Sequence, residues 1–517
     1  MAVTDTVSVL PLAAVLLPTL AVPLIYAART RPRLRETVTL AASIATLVTV
    51  WFAVQSPTTL VTPLGSFAGI PFALRADAAA LLFALLAALL WVVTSVYSIG
   101  YLYALDEHAQ TRYFAAFAVS IAATMGVAFA ANLLTLFVFY ELLTLATYPL
   151  VVHAGTAKAR AAGRQYIAYT LGGGVAALGG IVLVGVLTGT VTFTPGGIDG
   201  LGATDTTLAR IAFVLLVVGF GVKTALVPLH GWLPTAMVAP TPVSGLLHAV
   251  AVVKSGVFAL GRTVLYVFGP ETTWDLGLGL PLAAAAAATM VIAGVVGLRQ
   301  DNLKRGLAYS TVSHLAYIAL GLALATPVAV FGAFIHVVAH AFMKISLFFA
   351  AGLIYVETGE KYVSDLAGVG RRLPMTMTAF AIAAAGLIGF PLVAGFVSKF
   401  HLIVGAAASP HPAFVVAYLV AGVLKLLYFW PVIYTAFFGR RESDSSESRH
   451  PFAPPHATDG GYVEQAMWER RSLTREASPL LLAPVVATAA AAVLLGLFPT
   501  AFPFWALAEA VVVEVFG

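Results

Sequence analysis

Runs of about twenty predominantly apolar residues recur from one end of this 517-residue chain to the other. Hydrocarbon offers backbone amides no water, so each such run must satisfy its own hydrogen bonds as a helix. Composition agrees: 10% of the residues are charged, against roughly 25% in soluble domains. The pattern predicts an all-α polytopic membrane protein with fourteen spans. They lie near 8–27, 38–55, 78–100, 113–130, 132–152, 166–188, 208–228, 243–266, 279–298, 303–324, 327–356, 375–403, 413–438 and 479–500.

Charge tests that count. Alternate loops form two sets, and one set, with Lys304 and Arg305 at an adjoining helix end, holds 20 of the 28 Lys and Arg residues. The other holds only Arg75. One missed or invented span would scramble the alternation. Under the positive-inside rule the basic loops face the cytoplasm and both termini face outward. Residues 8–27 are therefore expected to be a retained first span, since Arg29, Arg31, Arg33 and Arg35 follow them and no basic stretch precedes them. The stretch 439–478 is expected to be a cytoplasmic loop with a short helix at 463–471.

The chain has no cysteine, which excludes disulfides, thiolate metal sites and a cysteine nucleophile. The net charge of +5 is explained by the one-sided loops, and nothing supports nucleic-acid binding. No cofactor motif and no metal site are read.

Glu141 is the sole acidic residue deep inside an apolar run, and Lys223, Lys254, Lys344, Lys399 and Lys425 lie in others. An ionisable group at bilayer depth costs ~2.5–3.5 kcal/mol on insertion scales, and such residues mark ion or proton paths. Lys223 and Lys399 sit beside interruptions, Gly219, Gly221 and Pro228 for the first and Gly389, Pro391 and Gly395 for the second. Backbone freed at such breaks is tolerated where it lines a cavity. His336, His340 and Lys344 are spaced four and four, which puts them on one helix face as a proton relay or a structural ladder. Ser310 and His314 share a face in the same way, as relay or helix glue. His248 is a further candidate, and His230 is either an entrance or an interfacial residue. The Gly172–Gly173–Gly174 run follows no strand and no P-loop lysine, so it is read as close helix packing.

Several long segments, FVFYELLTLATYPLV, GVKTALVPLHGWLPTAMVAPTPVSGLLHAVAVVKSGVF, DNLKRGLAYSTVSHLAYI, HVVAHAFMKISLFFAAG and GFPLVAGFVSKF, together resemble the proton-translocating antiporter-like family. That family comprises the large membrane subunits of complex I and the A and D subunits of Mrp-type sodium/proton antiporters. The resemblance is strongest to the D subunit. It implies two inverted five-helix repeats at 113–266 and 279–438, each with a broken helix, flanked by N-terminal helices (1–112), the loop (439–478) and helix 14 with the C-terminus (479–517). It implies that Glu141 is the charged partner of Lys223, that Lys254 connects to His340 and Lys344, and that Lys399 ends the path. His248, Ser310, His314, His336 and Lys425 are secondary members.

The implied function is proton translocation in a multisubunit cation/proton antiporter of the plasma membrane, with other subunits as partners and Na+ as the exchanged cation. Glu141 would hold the Lys223 proton across about 4 Å, an attraction of ~4 kcal/mol at an effective dielectric near 20, and release it when drawn away. The alternatives are a non-redox pumping subunit of a complex I or membrane-bound hydrogenase, a subunit of an inorganic-carbon uptake system, and an inert scaffold.

Overall fold

Polar caps mark where many of the spans begin. In the computed structural model, which describes residues 5–67, 69–203, 205–439 and 476–517, Asp77, Asn132, Thr156, Asp205, Asn302 and Thr326 each accept a backbone N–H from the first turn of the helix that follows. Such caps satisfy amides that have no partner within the helix. They place the polar residues at the membrane surfaces and leave the apolar runs between them.

The helices are α1 (Leu10–Ala27), α2 (Pro32–Val54), α3 (Ala78–Ala104), α4 (Gln110–Phe129), α5 (Leu133–Val151), α6 (Ala157–Thr188), α7 (Thr206–Thr224) and α8 (Thr241–Phe268). They continue with α9 (Gly279–Gly297), α10 (Leu303–Leu324), α11 (Pro327–Thr358), α12 (Pro374–Ile388), α13 (Ala394–Ala407), α14 (Phe414–Phe438), α15 (Pro479–Leu497) and α16 (Pro503–Phe516). Among the described residues, thirteen helices are long and apolar enough to cross a membrane. The span predicted at 375–403 is divided into the shorter apolar helices α12 and α13, so the expected total of fourteen is met.

The helices α4–α8 form one five-span unit, and α9–α14 form another. The first unit starts on the side of the basic loops and the second on the opposite side, so equivalent spans run in opposite directions. The fourth span of each unit is the broken one. In the first, α7 ends at Thr224, and Ala225 takes a left-handed conformation (φ 59°). The Val222 carbonyl accepts both the Ala225 N–H and the Trp232 indole N–H, the latter at 2.8 Å. In the second, Gly389 (φ 104°) and Leu392 (φ 73°) turn the chain between α12 and α13. The span α8 is interrupted by π-helical turns at Leu246–Val250 and Thr263–Phe268; such turns are frequent at functional sites.

Two features were not anticipated. A small sheet lies on the side away from the basic loops. In it β2 (Thr59–Phe67) pairs in parallel with β1 (Asp5–Val7) and antiparallel with β3 (Ile70–Ala76). The last helix, α16, was not anticipated. It follows α15 on the same side as the sheet and is too short to cross. Trp505 near its start packs edge-on against Phe331 of α11, and Glu514 near its end reaches the first turn of α3. Both contacts are with helix ends on that side, so α16 lies along the surface. The predicted helix at 463–471 lies outside the described residues.

Burial sorts the helices. Protein encloses α8, α10 and α11 almost wholly, whereas α1, α2, α14 and α15 bury only about a third of their length. Their exposed faces carry large apolar side chains such as Leu20, Phe52, Trp430 and Leu494, suited to lipid tails. The three enclosed spans carry most of the predicted relay residues.

Candidate functional site

Lysines 223, 254, 344, 399 and 425 and histidines 248, 314, 336 and 340 are all buried. A buried amine needs partners, and each lysine has at least one.

In the first unit, the Lys223 ammonium donates to the Tyr140 carbonyl of α5 and lies over the Tyr140 ring, 3.4 Å from its centroid. This corrects the expected ion pair: among the described residues, no contact within 4.0 Å joins Lys223 to Glu141. Instead the Glu141 carboxylate faces α6, and neither of its oxygens has a hydrogen-bond partner. A Cβ built on Gly174 would lie 2.5 Å from Glu141 Oε1, so the absence of a side chain there makes room for the carboxylate. Gly173 meets Val222 and the Gly219 carbonyl of α7. The triple-glycine run is thus a packing surface, as its sequence context suggested, and one of its glycines abuts a relay candidate.

The central cluster spans the junction of the two units. Lys254 Nζ of α8 is 2.6 Å from His340 Nδ1 of α11. The His340 ring is 5.2 Å from the His314 ring of α10, and His340 Nε2 has no partner. His314 Nδ1 meets His336 Nε2 at 2.9 Å, and His336 Nδ1 meets Ser398 Oγ at 2.8 Å. Ser398 is the neighbour of Lys399 on α13. Lys399 Nζ donates to the Leu387 and Ile388 carbonyls at 2.5 and 3.0 Å, the very groups freed where α12 ends. The interruption and the lysine are therefore one construction, as the sequence suggested, with the amine acting as a cap.

Spacing alone placed His340 and Lys344 in one ladder. The structure separates them: Lys344 donates to Ser310 Oγ of α10 at 2.6 Å, and His340 turns to Lys254. The pair Ser310 and His314 likewise diverges, one toward Lys344 and the other toward His336. Lys425 of α14 donates to Ser313 Oγ at 2.8 Å. It shares the Tyr317 ring with Lys399, at 4.2 and 4.9 Å from the centroid. His248 lies against Phe348 at 4.8 Å, and neither of its ring nitrogens has a partner, so the cluster does not include it by hydrogen bonding. A small apolar pocket, lined in part by Leu82, Phe83, Phe258 and Phe334, also has Lys254 in its wall.

Sequence reasoning missed Tyr140, Ser313, Tyr317 and Ser398, which carry no charge to draw attention. It also missed a second charged network. Arg262 of α8 makes a bidentate pair with Asp77 at 2.6 and 2.8 Å. Glu514 joins it through Tyr266 Oη at 3.2 Å and the Ala78 N–H at 3.3 Å. Burial, with Asp77 nearby, raises the Glu514 carboxyl to about 7.

The profile of the NADH:quinone oxidoreductase/Mrp antiporter transmembrane family matches residues 130–425. The chain is 33% identical over 407 residues to the N subunit of the NADH-quinone oxidoreductase of Desulforudis audaxviator, covering 78% of this chain and 77% of that one. It is 34% identical over 395 residues to the A/B subunit of a probable K(+)/H(+) antiporter of Rhizobium meliloti, covering 75% of this chain but only 38% of the relative. Its fold matches a chain of the Mrp complex from Dietzia sp. DQ12-45-1b with a TM-score of 0.82 at 24% identity, covering 98% and 97% of the two chains. It also matches a chain of the archaeal membrane-bound sulfane sulfur reductase with a TM-score of 0.81 at 23% identity, covering 98% of each. The matched stretch holds both broken spans and every lysine of the cluster, so the chain belongs to the NADH:quinone oxidoreductase/Mrp antiporter transmembrane family.

Proposed function

We propose that this protein is the proton-translocating membrane subunit of a multisubunit cation/proton antiporter, with Na+ as the exchanged cation. One observation carries the reading. Hydrogen bonds and ring contacts at 2.6–5.2 Å run from Lys254 through His340, His314 and His336 to Ser398, beside Lys399, through side chains that are all buried in the protein. Imidazoles both accept and donate protons near neutrality, which suits them to the middle of such a path.

The basic loops are taken as cytoplasmic, in the plasma membrane, with both termini outside. Protons enter near Lys223. No hydrogen bond joins Lys223 to Lys254 among the described residues, so water spans that gap. The path then follows the histidines to Lys399, and Lys344 and Lys425 bias it by their charge. Glu141 acts as the gate. Its carboxylate faces Gly174 while Lys223 rests on the Tyr140 carbonyl, which is the separated state of the pair. Approach of the two restores an attraction of ~4 kcal/mol at about 4 Å and an effective dielectric near 20. A partner subunit that moves α5 would thereby load or unload Lys223. The relay groups are proton carriers. The sodium path, which needs oxygen ligands, lies in partner subunits.

The 33% identity to a complex I subunit, over 77% of its length, favours one second reading, a pumping subunit of a redox complex. Identifying the subunits that copurify with the chain separates the two. The relay itself is tested in vesicles containing the intact complex. Glu141→Ala and Lys399→Ala should each abolish cation-driven proton flux with assembly retained. Wild-type flux from either variant would remove that residue from the path.

A further inference from the structure

Two loops on the basic side meet in a cluster that the relay does not use. Glu107 and His108 lie between α3 and α4, and His153 lies two residues beyond α5. One ligand atom from each of the three falls within 4.8 Å of the others. Glu107 Oε2 is 3.7 Å from His108 Nδ1 and 3.8 Å from His153 Nε2. His153 is almost fully buried, and neither of its ring nitrogens has a hydrogen-bond partner. An imidazole kept buried without a partner costs free energy, and here one of its nitrogens lies 3.8 Å from a carboxylate, with the His108 ring stacked beside it at 4.9 Å.

We propose that Glu107, His108 and His153 form a binding site for a borderline divalent transition-metal ion of the zinc type. Zinc–nitrogen and zinc–oxygen bonds of about 2.0–2.2 Å put tetrahedral ligand atoms roughly 3.3 Å apart, so the two measured separations need to close by only about half an ångström. His108 Nε2 lies 3.0 Å from the His153 carbonyl oxygen. In the tautomer that donates there, Nδ1 is left as a lone-pair donor, and this use of the second nitrogen is the usual support of a ligating histidine. A single carboxylate and two nitrogens suit zinc or cobalt better than calcium or magnesium, which want oxygen. Arg112 points the same way. Its guanidinium approaches the His153 carbonyl at 3.4 Å, which disfavours an ion held by charge alone. With three protein ligands, the fourth position falls to water.

Such an ion would tie the α3–α4 loop to the end of α5, the helix that carries Glu141. An effect on transport rests on the proton-relay reading, whereas ion binding does not.

The test uses the intact complex purified without a polyhistidine tag. Added Co2+ should give the visible absorption of a tetrahedral nitrogen–oxygen site, displaced by Zn2+. The substitution His153→Ala should weaken binding by more than about tenfold, as should His108→Ala. The His108 side chain is 57% exposed, so its loss leaves the fold intact. Absence of the band in the wild type, or equal binding by wild type and His108→Ala, would overturn the proposal. If the relay reading also holds, Zn2+ should slow exchange in the wild type and leave His108→Ala unaffected.

Discussion

The three adjacent glycines of α6 offer a graded test, because an added methyl group meets a different neighbour at each. At Gly172 it meets nothing within 4 Å. Alanine there should be neutral or stabilising by up to ~1 kcal/mol, the helix-propensity difference. At Gly173 it would sit 2.8 Å from Val222 Cγ2 and 2.9 Å from the Gly219 carbonyl oxygen. Backbone cannot step aside as a side chain can, so Gly173→Ala should force α6 and α7 apart at ~1–3 kcal/mol. At Gly174 it would lie 2.5 Å from Glu141 Oε1 and 2.7 Å from Cδ. Ordinary contact begins at 3.4 Å, so the carboxylate must retreat by about 0.9 Å. A glutamate side chain can do this with little loss of stability, but a displacement near 1 Å in a reacting group costs on the order of a hundredfold in rate. Thermal unfolding of the purified complex and proton flux in vesicles separate these outcomes. Gly172→Ala should be normal in both, Gly173→Ala less stable, and Gly174→Ala stable but slow. Equal flux from Gly174→Ala and Gly172→Ala would refute the gating role given to the Glu141 position.

The remaining predictions concern the second charged network. Removing either member of the Arg262–Asp77 pair strands a buried charge, so Arg262→Ala or Asp77→Ala should each cost ~3–5 kcal/mol, read as loss of assembled complex on heating. Exchanging both for a neutral pair should cost less than either single change, and a larger loss would show that the pair is not the source. Glu514 adds a pH dependence. Its carboxyl is raised from 4.5 to about 7 in the folded protein, so its contribution is fully present below about pH 4.5 and is lost as pH rises through about 7. Hydrogen exchange of residues 503–516 should accelerate across that window beyond the intrinsic rate. The substitution Glu514→Gln should remove the slope, and a slope that survives it belongs to another group.

The order of the spans, their alternation, the two breaks and the buried lysines and histidines of the cluster were legible in the sequence, whereas the Arg262–Asp77 network was not. The reason is physical: hydrocarbon permits few backbone solutions, and it makes each internal charge conspicuous. What the sequence could not supply was pairing. Lys344 lies one turn from His340 yet bonds Ser310, because α10 crosses α11 at that level. Lys254 reaches His340 across 86 positions. The separation of Glu141 from Lys223 depends on which face of α5 meets α6, and α5 is apolar nearly all round. His108 and His153 lie in different loops, so no spacing rule joins them. The small sheet and α16 escaped notice because they lie along a surface, where the lipid constraint ends. Sequence alone determined how often the chain crosses the membrane and which lysines and histidines lie deep inside its spans. Tertiary packing decided which of those side chains touch, since hydrogen bonds between helices follow crossing geometry rather than distance along the chain.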